Sequence, residues 1–228
     1  MSESLLDAVE INPAGTPRAC IIWLHGLGAD GHDFEPLIPQ LGVLEMPGMR
    51  VVLPHAPRRP VTINGGMVMP AWYDILAADF TRGQDSAGVR ASEQQLLALI
   101  RREIDSGIPA EQILLAGFSQ GGAIVLHTGL RYRQPLAGIL ALSTYLPLAD
   151  SLATEAAAVN RTVPIMMAHG TQDPVVPLSL AMQSREVLQQ QGYRVAWHSY
   201  PMQHAVCPEE VRDIRDWLAQ RLVPDRHC

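Results

Sequence analysis

Short apolar runs alternate with longer stretches of helical periodicity along most of the chain, and this alternation leaves few folds open. Runs rich in β-branched residues predict strands near residues 19–24, 50–53, 112–116, 137–142, 163–168 and 194–199. Apolar residues at helical spacing predict helices over about 86–105, 119–131, 179–191 and 208–222. Strands that alternate with helices form a mainly parallel sheet with helices on its faces. We therefore expect one α/β domain over residues 1–228.

Composition excludes several classes of function. The net charge is −6 and the pI is near 5.7, whereas a nucleic-acid surface needs clustered cations. All 17 basic residues are arginines. The absence of lysine excludes P-loop phosphate binding, pyridoxal Schiff bases and lysine nucleophiles.

The cysteines and the N-terminus indicate the compartment. Cys20, Cys207 and Cys228 are sparse and form no C-x-x-C pair, so the sequence predicts neither a disulfide framework nor a zinc site. Residues 1–4 carry no basic start, and no apolar run approaches the ~18 residues of a membrane span. We expect a cytoplasmic protein without a transmembrane segment, whose mature chain begins near residue 1.

The sharpest local signal is Gly117-Phe118-Ser119-Gln120-Gly121, which joins a predicted strand to a predicted helix. G-x-S-x-G in this position is typical of a nucleophile elbow, a turn so tight that it lifts the serine hydroxyl above the sheet. The serine would also lie at a helix N-terminus, which favours a developing negative charge. The alternative is a glycine-rich turn with an ordinary capping serine.

A serine nucleophile needs a general base, and the base needs an orienting carboxylate. Hydrolases with this turn carry them in the chain order Ser, Asp or Glu, His, each after a later strand. Asp173 follows the predicted strand 163–168, and His204 follows the predicted strand 194–199. We therefore predict a triad of Ser119, Asp173 and His204, with an ordinary turn aspartate as the alternative for Asp173.

Other histidines compete for the role of base. His169 stays open as an alternative because it lies at a strand end beside the predicted acid. Three further histidines lie inside a predicted helix, within a predicted strand and in the C-terminal tail, where structural or solvated roles are common: His127, His198 and His227.

Residues 26–31, GLGADG, match the G-x-G-x-x-G spacing of a dinucleotide-binding turn. Such a fold needs an acidic residue about 20 positions further on, at the end of the second strand, to bind the ribose hydroxyls. The predicted strand 50–53 does not end in one, and Glu45 lies in a loop-like context. We therefore interpret the glycines as an oxyanion loop, with the backbone N–H groups of Leu27 and Gln120 as donors.

Several motifs together resemble one family: LHGLGADGHDF, PHAP, AWYD, GFSQGG, HGTQDPVVP and the histidine of PMQH. They are similar to the carboxylesterase and acyl-protein thioesterase family of small cytosolic α/β-hydrolases without a separate cap domain. The resemblance implies that fold and the hydrolysis of carboxylic esters or thioesters. It implies the same triad and oxyanion residues: Ser119, Asp173, His204, Leu27 and Gln120. The chain differs from the commonest pattern at Ala205, where glycine or serine is frequent.

The expected reaction passes through an acyl-enzyme on the serine and needs neither a metal nor an organic cofactor. The substrate is a small molecule or an acylated partner, and monomer and homodimer both stay open. Hydrolysis of lysophospholipids or small lactones is an alternative from the same class. A non-catalytic ligand-binding protein with the hydrolase fold is an alternative from another class.

Residues 54–83 interrupt the alternation with a segment rich in proline and glycine that is long for an irregular loop. We expect four large apolar side chains of this segment to form one wall of the acyl groove: Met67, Val68, Met69 and Trp72. Methionines suit a surface that adapts to chains of different length. The alternative is that the same side chains seal the loop onto the sheet.

Overall fold

A seven-stranded sheet forms the centre of the fold. The computed structural model describes residues 5–77 and 83–222. Its strands, in chain order, are β1 (Ala8–Ile11), β2 (Ala19–Leu24), β3 (Met49–Pro54), β4 (Arg58–Val61), β5 (Met67–Pro70), β6 (Ile113–Phe118), β7 (Gly138–Leu142), β8 (Ile165–Gly170) and β9 (Val195–Tyr200). Its α-helices are α1 (Ser86–Asp105), α2 (Gln120–Arg131), α3 (Leu152–Glu155), α4 (Leu178–Gln190) and α5 (Pro208–Ala219).

The strand order in the sheet is β1-β3-β2-β6-β7-β8-β9. Strand β1 pairs antiparallel with β3, and the other neighbouring strands are parallel. Strands β2, β7 and β8 are buried along their whole length, as parallel strands covered on both faces should be. The carboxyl ends of the parallel strands therefore meet at one edge of the sheet.

Helices cover both faces of the sheet. Leu96 of α1, Ile124 of α2 and Leu188 of α4 belong to the apolar cluster on one face. Ile214 of α5 belongs to the cluster on the other face, together with Ile38 from a 3-10 turn. The prediction of a mostly parallel sheet flanked by helices is confirmed, and the described residues form no separate cap domain.

All six predicted strands and four predicted helices occur, with ends shifted by three residues or fewer. The prediction of an irregular loop over 54–83 is wrong in part, because β4 and β5 form an antiparallel hairpin there. Its turn uses Gly65 and Gly66, which have φ of 66° and 78°. A two-stranded ribbon has two edges, so Pro60 and Pro70 need not donate to a ladder. The many prolines of this segment therefore led to the prediction of a loop where the structure has a hairpin.

Parts of the sequence-based expectations fall outside the described residues. These parts are residues 1–4, residues 78–82, His227 and Cys228. The single domain over residues 1–228 stays a prediction for the same reason. In the part of the chain that is described, no helix is both long enough and apolar enough to span a membrane.

Glu210 is a buried carboxylic acid in the first turn of α5. Its exposed fraction is 0%. Burial, opposed by a backbone hydrogen bond at Cys207 and assisted by the neighbouring Asp213 carboxylate, raises the pKa of Glu210 from 4.5 to about 8. The folded protein therefore keeps a proton on Glu210 over a pH range in which the unfolded chain has lost it.

We expect Glu210→Gln to change how the free energy of unfolding depends on pH. Between pH of about 4.5 and about 8 the folded wild type binds one more proton than the unfolded chain, so its stability falls as pH rises, by at most about 1.4 kcal/mol per unit. The glutamine variant lacks this slope, so its free energy of unfolding should rise relative to that of wild type as pH increases across that window. Urea unfolding at several pH values measures this, and a pH-independent difference would contradict it.

Candidate active site

The turn between β6 and α2 is held by backbone contacts that exclude side chains. An ideal Cβ on Gly117 would lie 2.5 Å from the backbone of Gly121, and one on Gly121 would lie 2.3 Å from the carbonyl oxygen of Leu24. Ser119 between them has φ 54° and ψ −120°, a sparsely populated conformation that costs about 1–3 kcal/mol. The turn thus has the tight strand-to-helix geometry that the G-x-S-x-G spacing predicts.

The structure brings the three predicted triad residues together. The Ser119 Oγ lies 2.9 Å from Nε2 of His204, and Nδ1 of His204 lies 2.7 Å from Oδ2 of Asp173. The residues come from the loops after β6, β8 and β9, at the carboxyl edge of the sheet. A neutral imidazole with its hydrogen on Nδ1 would donate to the carboxylate and accept from the serine hydroxyl.

Local hydrogen bonds fix the Asp173 carboxylate. Its Oδ1 accepts from the backbone N–H groups of Val175 and Val176, at 2.8 and 2.9 Å. The side chain is fully buried. The other oxygen, Oδ2, is thereby directed at His204. The turn role and the orienting role that the sequence left as alternatives are compatible in this one residue.

Among the histidines that the structure describes, only His204 hydrogen-bonds Ser119. His169 is 1% exposed, and its Nε2 lies 2.9 Å from the Val176 carbonyl oxygen and 3.5 Å from Oδ2 of Asp173. Burial lowers the pKa of His169. His169 therefore contacts the predicted acid and the Val176 carbonyl oxygen, and it makes no hydrogen bond to Ser119 within the described residues.

The other rival histidines lie elsewhere in the fold. His127 is fully buried in α2, 3.4 Å from a Glu93 carboxylate oxygen, and burial lowers its pKa. His198 lies on β9, with Nδ1 3.2 Å from Asp213. Neither side chain reaches the Ser119 hydroxyl, whose bond is to His204.

Phe118 is a residue of the site that sequence reasoning missed. Its ring lies 4.7 Å from the His204 ring, centroid to centroid, at an angle of 50°. The Phe34 ring contacts Phe118 in turn, at 5.7 Å. Phe118 thus borders the imidazole, and Phe34 packs against Phe118. The signal was the large aromatic residue next to the serine, at a position that the motif leaves open.

The two predicted oxyanion donors lie on turns that adjoin the serine. An ideal Cβ on Gly26 would lie 3.4 Å from the Ser119 Cβ, so the turn carrying Leu27 packs against the nucleophile. Gln120 is the first residue of α2, and its N–H is one of the amides that a helix leaves unpaired. Within residues 5–77 and 83–222, neither the Leu27 nor the Gln120 amide donates a hydrogen bond.

The G-x-G-x-x-G segment does not begin a long helix. It runs into a three-residue 3-10 turn, Gly31–Asp33, that Asp30 caps. A dinucleotide site needs a long helix whose N-terminus faces the pyrophosphate. The observed turn therefore argues against a dinucleotide site, and the oxyanion interpretation of these glycines stays a prediction.

The four predicted groove residues separate into two groups. Met67 and Val68 are 63% and 53% exposed on β5, and Met69 is half-buried. The Met69 Sδ lies 3.8 Å from the Cβ position of Gly28, beside the turn that carries Leu27. Trp72 is only 1% exposed and lies in the core. For Trp72 this corrects the assignment to the groove wall, because a buried ring has no surface to offer an acyl chain.

No described group of three or more histidine, cysteine, aspartate or glutamate side chains is arranged to hold a metal ion. The serine, the imidazole and the carboxylate form a hydrogen-bonded chain in which the hydroxyl is next to a base and the base is next to a buried anion. Such a chain can activate an oxygen nucleophile toward an acyl carbon.

Fold and site together define the chain as an α/β-hydrolase. A family model described as Phospholipase/Carboxylesterase matches residues 7–222. The chain therefore belongs to this family of carboxylic ester hydrolases, as its motifs predict.

Individual relatives agree with the family. An acyl-protein thioesterase 1 of Neurospora crassa is 44% identical over 213 residues, which cover 90% of this chain and 87% of the relative. Acyl-protein thioesterase 1 of Gibberella zeae is 39% identical and covers 98% of this chain and 99% of its own length. The crystal structure of Zea mays acyl-protein thioesterase 2 superposes with a TM-score of 0.82 at 30% identity, covering 95% and 99% of the two chains.

Proposed function

We propose that this protein is a serine hydrolase that cleaves carboxylic esters and acyl thioesters through an acyl-enzyme on Ser119. The observation that carries the proposal is the continuous hydrogen-bonded chain from the Ser119 hydroxyl through His204 to the buried carboxylate of Asp173. The acyl-protein thioesterases among the relatives support the thioester as an acyl donor.

In the first half-reaction, the Ser119 oxygen attacks the acyl carbon while Nε2 of His204 takes its proton. Asp173 holds the hydrogen of the imidazole on Nδ1 and stabilises the cation that forms. The carbonyl oxygen becomes an oxyanion, which accepts hydrogen bonds from the backbone N–H groups of Leu27 and Gln120. When the tetrahedral intermediate collapses, His204 protonates the departing alcohol or thiol.

In the second half-reaction, a water molecule takes the place of the leaving group. His204 removes a proton from the water as its oxygen attacks the ester of Ser119, and the same two amides bind the second oxyanion. Collapse returns the proton to the serine and releases the carboxylic acid. Every proton transfer uses the one imidazole, so the cycle needs no further acid or base.

We expect the triad substitutions to lower activity without unfolding the protein. Ser119→Ala should lower kcat about 10⁶-fold, and Asp173→Asn about 10⁴-fold because the imidazole loses its orienting anion. A fluorophosphonate probe should label wild type and fail to label the serine variant. Activity on p-nitrophenyl butyrate and on a butyryl thioester gives the rates.

The matched controls lie in the same part of the fold. Ser143 is a buried serine that, like Ser119, follows a strand and has a positive φ, here 47°. The Ser143→Ala variant should still be labelled by the probe. His169 adjoins the same carboxylate as His204, so His169→Asn should lose far less activity than His204→Asn. Labelling that disappears with Ser143 instead, or a larger loss at His169, would contradict the assigned roles.

We further propose that the exposed face of the β4–β5 hairpin forms one wall of the acyl groove. Met69 supports this because it lies beside the turn that carries Leu27, and Met67, two residues earlier on β5, extends the same apolar face outward. Val68 lies between them and faces the other side of the strand. An exposed apolar cluster is unfavourable unless it receives a ligand or a partner. The hairpin would then set the preference for chain length.

Met69→Ala and Met67→Ala should weaken kcat/KM for octanoyl esters and leave acetyl esters nearly unchanged. The expected loss is about 0.8 kcal/mol, or roughly fourfold, for each buried methylene contact removed. Met46→Ala is the control, because Met46 is half-buried against the cluster on the α5 face. Equal losses on acetyl and octanoyl esters with a lowered Tm would contradict the groove.

The compartment and the oligomeric state complete the proposal. Cys20 and Cys207 are free thiols, which suits the reducing cytoplasm that we propose as the location. A homodimer stays a prediction, which the molecular mass from analytical ultracentrifugation can test.

A further inference from the structure

Trp72 is hydrogen-bonded on two sides, although it is buried in the core. Its indole Nε1–H donates to the carbonyl oxygen of His25 at 2.8 Å. Its backbone N–H donates to the side-chain Oε1 of Gln120, also at 2.8 Å. The two acceptors belong to the segments after β2 and β6, which carry the two amides assigned to the oxyanion. One tryptophan thus contacts both segments.

On the β2 side, His25 connects the indole of Trp72 to the backbone N–H of Leu27. The backbone N–H of Ala56 donates to Nε2 of His25 at 3.0 Å, so Nε2 is an acceptor and the hydrogen lies on Nδ1. Nδ1–H then donates to the Gly26 carbonyl at 2.7 Å. Burial lowers the pKa of His25, which keeps the ring neutral in this tautomer.

The Gly26 carbonyl and the Leu27 N–H belong to the same planar peptide unit and point in opposite directions. A hydrogen bond that fixes this carbonyl therefore also fixes the direction of the Leu27 amide. The indole bond holds the preceding peptide, between His25 and Gly26, in the same way. Further along, the Gly28 N–H donates to the Pro70 carbonyl at 2.9 Å, which secures the end of the turn.

On the β6 side, the Gln120 side chain holds the backbone of Trp72 and Tyr73. Oε1 accepts from the Trp72 N–H, and Nε2 donates to the Tyr73 carbonyl at 2.6 Å. The Ser92 hydroxyl of α1 donates to the Trp72 carbonyl. The tryptophan backbone is therefore fixed relative to the start of α2, where the Gln120 amide lies.

We propose that Trp72 is a positioning residue that sets the spacing between the two oxyanion amides, of Leu27 and Gln120. The inference rests on the proposed function, because it concerns the same tetrahedral intermediate. Both amides must lie about 2.7–3.1 Å from the place where the oxyanion develops. A shift of ~1 Å in such a group costs on the order of 100-fold in rate. The hydrogen bond of the indole therefore contributes more to stabilising the transition state than to binding the substrate.

The experiment removes the indole N–H. Trp72→Phe is the simple variant, which also makes the ring smaller. β-(3-Benzothienyl)alanine at position 72 keeps the size and shape of tryptophan while replacing N–H by sulfur. Trp217→Phe is the matched control, a buried tryptophan in the cluster on the α5 face. The readouts are kcat and KM for p-nitrophenyl butyrate, the inhibition constant of a trifluoromethyl ketone that forms an oxyanion, and Tm.

Both changes at position 72 should lower kcat roughly 10- to 100-fold. KM should stay within about twofold of wild type, and binding of the ketone should weaken in parallel with kcat. Trp217→Phe should leave kcat unchanged even where it lowers Tm. Unchanged kcat in a folded benzothienyl variant would overturn the proposal, and so would an effect confined to KM or an equal loss of kcat in Trp217→Phe.

Ser119→Ala, measured beside these variants, separates this inference from the proposed function. If wild-type activity disappears with Ser119 and the position-72 variants keep their kcat, the inference about Trp72 is wrong and the serine mechanism stands. If the activity survives Ser119→Ala, the proposed function is wrong, and the inference is overturned with it.

Discussion

Helix α2 begins in backbone contact with strand β2, with no room for a side chain between them. An ideal Cβ on Gly121 would lie 2.3 Å from the Leu24 carbonyl oxygen. Because β2 and β6 are parallel neighbours, with Leu24 opposite Gly117, the turns after both strands meet at the same edge. Two hydrogen bonds offset the cost of the strained Ser119 backbone. Its N–H donates to the Leu142 carbonyl oxygen at 2.8 Å, and its carbonyl oxygen accepts from the Thr144 hydroxyl at 2.6 Å.

The same parallel arrangement brings residues that are distant in sequence to one place. Strands β8 and β9 end at this edge, so their loops present Asp173 and His204 to the serine. Burial of the carboxylate removes water that would compete for its oxygens, and the two amides on Oδ1 leave Oδ2 for the imidazole. Phe118 then borders the ring. The site is assembled by topology first and refined by local hydrogen bonds.

Sequence patterns could predict whatever depends on local chemistry. The buried parallel strands are continuous apolar runs, and the glycines around Ser119 indicate the turn directly. The role of Trp72 could not be predicted, because an apolar residue in a polar segment has the same pattern whether it points inward or outward. Its bonds join residues 47 and 48 positions apart. The tautomer of His25 likewise depends on Ala56, 31 positions away. Such contacts exist only once the chain has folded.

The most direct measurement is a crystal structure of the protein after reaction with an alkyl phosphonate, which mimics the tetrahedral intermediate. The account predicts phosphorus bonded to Oγ of Ser119, with the phosphoryl oxygen about 2.7–3.1 Å from the backbone nitrogens of both Leu27 and Gln120. The alkyl chain should lie against Met69. A phosphonate on another serine, or a phosphoryl oxygen directed away from these two amides, would contradict it.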